Sequence, residues 1–191
     1  MITQVEEKRY TCEEYLKFEF NSPERHEYID GKIILRNGNT PNHNLVAGNF
    51  YAALNFALRR QPYRVFVTDQ RLWIPKKRIY TYPDVMVVQG DLQMQEGRRD
   101  TITNPLIIAE VLSESTKSYD KDDKFAAYRT IPTFQEYILI DQYEVHIEQY
   151  FKTDTKRWTF AEYDDLNETL CLNSINFQIA LADIYDNVQF E

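Results

Sequence analysis

The stretch "LIIAEVL", Leu106 to Leu112, is apolar on both of its alternating faces, a pattern that suits a strand covered by other layers of the protein on each side. A chain with such a strand at its centre is built as a sheet packed between helices or further sheet. Its single acid is therefore informative. Leu106, Ile108, Glu110 and Leu112 point one way along the strand and Ile107, Ala109 and Val111 the other. Glu110 thus shares a face with leucine and isoleucine, where an unpaired carboxylate is costly and must be protonated, paired with a cation or bound to metal. Asp84, in "TYPDVMVV", poses the same problem beside Met86 and Val88. If the two strands are neighbours, the acids converge and repel unless a divalent cation sits between them. The alternative is structural: Asp84 caps a turn after Pro83, and Glu110 pairs with a Lys or Arg of an adjacent helix.

The other segments read as a mixed α/β (α+β) chain. "YTCEEYLKFEF" begins with a capping threonine followed by acids and predicts a short helix. "HEYIDGKIILR" predicts a hairpin turning at Asp30-Gly31. Val46, Phe50, Leu54 and Leu58 recur every fourth residue from "TPNHN" onward and predict a helix closed by Gln61-Pro62. "YRVFVTDQRLWIP" reads as strand material and "QGDLQMQEGRRDTITN" as a polar loop. "YDKDDKFAAYRTI" is read as a helix with Asp120 at its cap and its end at Pro132. "FQEYILID" is a strand, and the alternation beyond it predicts a hairpin around Thr153 to Thr155. "INFQI" and "LADIYD" supply a last strand and a turn of helix. Helices between strands call for a sheet packed against helices.

At 191 residues and 43% hydrophobic, the chain suits a single domain spanning 1–191 with a core at about 25–150. Cys12 and Cys171 lie without other ligands at metal-binding spacing, so reduced thiols and a cytoplasmic setting are expected. The N-terminal residues lack a signal-peptide pattern, and no window approaches the roughly 18 apolar residues of a membrane span. The net charge of −8 argues against coating nucleic acid by charge alone, although basic residues group at Arg59 and Arg60, at 76–78, at Arg98 and Arg99, and at Lys117, Lys121 and Lys124.

"YPDVMVV", "LIIAEVLSEST" and "YDKDDKFAAYRTIPTFQEYILID", together with "HEYIDGKII" and "NHNLVAGNFYAAL", resemble the Uma-type putative restriction endonuclease family, a branch of the PD-(D/E)XK nuclease superfamily. The resemblance spans roughly residues 10–185. It implies a restriction-endonuclease-like mixed central sheet flanked by helices, with additional antiparallel strands at both ends. It also implies a metal-dependent endonuclease hydrolysing phosphodiester bonds of DNA with Mg²⁺ (or Mn²⁺). Asp84 and Glu110 are then metal ligands, joined by the backbone carbonyl of Val111. The sequence departs from the superfamily at Leu112, where a lysine is expected two residues after the glutamate. Lys124, on the following helix, takes the third catalytic role. Glu27, His43 and Gln70 are supporting candidates: an acid approaching the metal, a phosphate contact or proton carrier, and a residue lining the cleft. Ser113 and Thr116 shape the turn before the lysine helix. A homodimer follows from superfamily habit. Two other functions remain open: a non-catalytic nucleic-acid-binding or scaffold module, and a hydrolase of small phosphorylated ligands. The second lacks a phosphate-cradling glycine loop.

Overall fold

The computed structural model describes residues 8–36, 39–114 and 117–190. Helix α1 (Cys12–Asn21) starts at Thr11, whose hydroxyl accepts the Glu14 N–H while the Glu14 carboxylate accepts the Thr11 N–H, a reciprocal cap. Strands β1 (His26–Ile29) and β2 (Lys32–Leu35) form the expected hairpin. Asp30 and Gly31 both lie at positive φ, the backbone that a two-residue turn of this twist requires and that glycine adopts without steric cost. Helix α2 (Pro41–Ala57) is capped by the Thr40 hydroxyl, with Pro41 in its first turn. It ends before the expected Gln61-Pro62, because Leu58 is its C-cap and Arg60 turns the chain through a left-handed conformation.

The chain then alternates between two sheets. β3 (Tyr63–Val67) and β4 (Arg71–Ile74), which read as one stretch of strand material, are separated by Thr68 at positive φ and enter different sheets. β5 (Ile79–Thr81) returns to the sheet of β4, and β6 (Val85–Gln89) to that of β3. The segment read as a polar loop contains β7 (Thr101–Ile102), which pairs with β4. β8 (Ile107–Leu112) is buried throughout, as its two apolar faces predict. A helical crossover, α3 (Lys117–Tyr119), a π turn (Asp120–Lys124) and α4 (Phe125–Tyr128), leads to β9 (Glu136–Asp141). β10 (Ile147–Asp154) and β11 (Arg157–Tyr163) form the predicted hairpin, with its turn at Thr155 and Lys156. β12 (Thr169–Leu172), not anticipated, pairs with β13 (Phe177–Ala180), and α5 (Leu181–Ile184) follows.

The larger sheet has the order β11-β10-β9-β8-β6-β3, and the smaller one β2-β1-β5-β4-β7. Only β8 and β9 run parallel in the larger sheet, and parallel neighbours need a crossover connection, which the 117–128 segment supplies. One face of that sheet packs Val85, Val87, Ile107, Ala109 and Val111 against Val46, Phe50 and Leu54 of α2. The other packs Met86, Val88, Ile108 and Leu112 against Ala127, Tyr128 and Phe134. Leu112 is thus a packing residue of the core, and its side chain has no amine to take the lysine's role. Tyr15, Tyr28 and Tyr80 form a separate cluster where α1 meets the smaller sheet. Among the described residues, no helix is long and apolar enough to cross a membrane.

Candidate active site

Asp84 does not sit within a strand as the sequence pattern implies. Tyr82, Pro83 and Asp84 carry the chain from β5 in one sheet to β6 in the other, and the proline favours extended backbone at Tyr82 just before it. The seam places a carboxylate at the sheet's end without interrupting the ladder. Because β6 pairs antiparallel with β8 through Val85↔Ala109 and Met86↔Ile108, Asp84 falls beside Glu110. The two are bridged by backbone. The Val111 N–H donates to Asp84 Oδ2 at 2.9 Å, and the Asp84 N–H points at Glu110 Oε2 at 3.4 Å. Asp84 also meets Arg36 at 3.1 Å through Oδ1 and His43 Nε2 at 3.2 Å through Oδ2. Burial alone would raise its pKa; the His43 hydrogen bond and charge, then Arg36 and the Val111 amide, overcome that and hold it below the usual aspartate value.

Glu110 receives its partners from the crossover. Asp120, Lys124 and Tyr128 recur every fourth residue through the π turn and α4, so they follow one side of the helical segment facing the end of β8. Lys124 Nζ lies 3.2 Å from Glu110 Oε1, 2.9 Å from Asp120 and 3.6 Å from Glu27, and the Tyr128 hydroxyl donates to Glu110 Oε1 at 2.6 Å. Lys124 is buried rather than snorkelling to solvent. Burial would strip its proton, but Glu110, Glu27 and Asp120 hold it firmly charged. Glu110 responds differently: burial, opposed by Lys124 and reinforced by Asp84 and Asp120, pushes it up to about 8.

These groups line a cavity of about 580 Å³. Five carboxylates, Glu27, Asp84, Glu110, Glu114 and Asp120, face two permanent cations, Arg36 and Lys124. Counted as fully ionised they leave three negative charges over, and with Glu110 largely protonated at neutral pH the surplus is about two. Glu110 Oε2 has only the long contact from the Asp84 N–H among its described partners, which leaves lone pairs to spare. All-oxygen donors, surplus negative charge and a carboxyl driven toward neutrality suit a hard divalent cation such as Mg²⁺ or Mn²⁺. Asp84 and Glu110, with Val111 on the same lining, are the residues that could hold one.

The cavity also gathers Glu27 and His43. Glu27, on β1, accepts from the buried Thr81 hydroxyl at 2.5 Å and faces Lys124. His43 is buried on the first turn of α2 but does not cap the helix; Thr40 does. Its Nδ1 has no hydrogen-bond partner among the described residues. Gln70 is a correction. It precedes β4, outside the cavity, and its amide donates to the Arg71 and Asp100 carbonyls, so it closes a turn instead of lining the cleft. Asp120 is corrected in role: the chain is already helical at Lys117, so Asp120 pairs with Lys124 and caps nothing. Ser113 borders the cavity; Thr116 lies outside the described residues.

Sequence reasoning missed Arg36 and Tyr128 as partners of the acids. Tyr128 carried a signal, standing four residues after Lys124; Arg36 carried none, since a salt bridge across 48 positions leaves no local pattern. It also missed a second cluster. His146 Nε2, just before β10, and carboxylate oxygens of Glu148 on β10 and Glu162 on β11 lie within 4.8 Å of one another, but Glu148 is already held by Lys121 and by the Tyr150 hydroxyl.

Comparison with known proteins identifies the family and the fold. Residues 12–182 match the Uma2 family, described as "Putative restriction endonuclease". An uncharacterized Synechocystis protein, sll1609, is 40% identical over 85% of this chain and 92% of its own length. A second, slr1290, is 33% identical over 93% and 92%. The crystal structure of a putative nuclease belonging to DUF820 from Anabaena variabilis superposes with a TM-score of 0.74 at 20% identity, over 92% of this chain and 97% of that one. That likeness establishes the fold, and the sequence matches establish the lineage: the chain belongs to the Uma2 family.

Proposed function

We propose that the chain is an endodeoxyribonuclease that hydrolyses phosphodiester bonds with Mg²⁺ or Mn²⁺, held by Asp84, Glu110 and the Val111 carbonyl, in the cytoplasm and as a homodimer. The observation that supports this reading is the meeting of Asp84, Glu110 and Lys124 on one cavity with surplus negative charge. When bound, such an ion supplies Lewis-acid polarisation of the phosphate and a water of lowered pKa. The chain's own groups do the rest. Arg36 and His43 fix the Asp84 carboxylate in its ionised form. Tyr128 fixes Glu110. Lys124, kept charged by three carboxylates, donates hydrogen bonds that orient an attacking water or stabilise a phosphate oxygen as charge develops there. Glu27 and Asp120 aim that ammonium.

Lys124→Met is expected to lower Mn²⁺-dependent plasmid cleavage by about 10²- to 10³-fold, with Mn²⁺ binding by calorimetry retained. Undiminished cleavage would discard Lys124. No cleavage by folded wild-type protein, at any metal concentration, would favour the non-catalytic module.

A further inference from the structure

The cavity that houses the acids has a mouth of unexpected chemistry. Ile34 and Leu35 of β2 and Tyr143, in the turn after β9, line it, yet they are 44%, 46% and 47% exposed. On β2 the packing role belongs to Ile33, which joins the tyrosine cluster with its partner Tyr28. Ile34 stands opposite Glu27, where a polar residue would cost the fold nothing. A duplex-binding site needs the reverse: cations left free to neutralise phosphates. The two permanent cations among the described lining residues, Arg36 and Lys124, are both ion-paired inside, and the whole chain carries −8. One further group waits for a partner: the Tyr119 hydroxyl, on the same lining, is buried and has no hydrogen bond among the described residues.

We propose that the mouth binds unpaired DNA, the bases lying on Tyr143, Ile34 and Leu35 while the Tyr119 hydroxyl donates to the backbone phosphate, so that the substrate is a single-stranded, flapped or otherwise unstacked segment. This rests on the nuclease reading and narrows its substrate. Base stacking on an aromatic ring tolerates any sequence, and a single strand, with half the duplex's charge per unit length, asks for fewer free cations.

The test is fluorescence polarisation of the full chain with Ca²⁺, using a labelled oligodeoxythymidine, its duplex of equal length and the corresponding single-stranded RNA, paired with a Mn²⁺ cleavage assay on the same strands. The expected result is single-stranded DNA bound at least about tenfold more tightly than duplex. Tyr143→Ala should cost about tenfold on the single strand, Ile34→Ser less, and Tyr143→Phe little. Both positions are half exposed, so the variants fold, and a thermal melt confirms it. Duplex or RNA bound as tightly, no binding of the single strand, or no effect of Tyr143→Ala would overturn the inference. Duplex cleaved in preference overturns it but leaves the nuclease reading standing. Single strand bound and never cleaved rejects the nuclease reading and leaves the base-binding mouth.

Discussion

Glu110 and Glu136 are buried glutamates on adjacent parallel strands, β8 and β9, Glu136 at the first pair of the ladder and Glu110 three pairs further along. Glu136 is surrounded by neutral donors. The Gln149 amide reaches it at 2.6 Å, the Asn173 and Ser174 N–H groups at 3.0 Å, and the Ser174 hydroxyl joins them. It pins the loop between β12 and β13 onto the sheet. Glu110 has Lys124, Tyr128 and one long N–H contact, beside four more carboxylates. The lesson is that burial of an acid alone does not mark a site. A carboxylate whose lone pairs are filled by backbone and amide donors is a fastener, whereas one in a crowd of acids with too few cations is a socket.

The largest effect expected from that contrast is on cleavage. Glu110→Gln should lower metal-dependent cleavage by about 10²- to 10³-fold and weaken Mn²⁺ binding, while Glu136→Gln leaves both unchanged. Stability should run the other way, with Glu136→Gln losing about 1.5–3 kcal/mol in urea titration as charged hydrogen bonds are replaced. Equal effects of the two substitutions on cleavage would erase the distinction.

Next in size is a pH dependence. Glu110 binds its proton more tightly when folded, at about 8 against 4.5. The stability it contributes is therefore fully present below pH 4.5 and is lost as pH rises through about 8. Without metal, the melting temperature should carry a downward contribution over that window that Glu110→Gln removes. Saturating Mg²⁺ should offset it, since only the ionised carboxylate binds the ion. A wild-type profile that Glu110→Gln leaves unaltered would show that Glu110 is ionised at neutral pH without help.

The smallest effect concerns Tyr128. Its hydroxyl holds Glu110 down against burial, so Tyr128→Phe should move the pH midpoint of Mn²⁺ binding upward and cost about 1 kcal/mol. An unmoved midpoint would mean that Lys124 alone orders the carboxylate.

Much of this was legible in the sequence where the signal is local. The double apolar alternation of 106–112, the Asp30-Gly31 turn and the Thr11 cap each express a preference satisfied within a few residues. The neighbouring of Asp84 and Glu110 was legible too, because two acids in core strands need a shared reason. Gln70, Arg36 and the role of Asp120 were not. Whether a polar side chain enters a cavity or closes a turn is decided by which sheet its strand joins, and the β3-to-β4 and β5-to-β6 switches between sheets have no short-range cause. Glu136 was hidden for the same reason, its donors lying 13 to 38 positions away.

The most direct test of the socket is diffraction from crystals grown with Mn²⁺. An anomalous peak between the carboxylates of Asp84 and Glu110, with the Lys124 ammonium beside it, is the predicted result. An empty cavity, or a peak at His146, Glu148 and Glu162 instead, would contradict it.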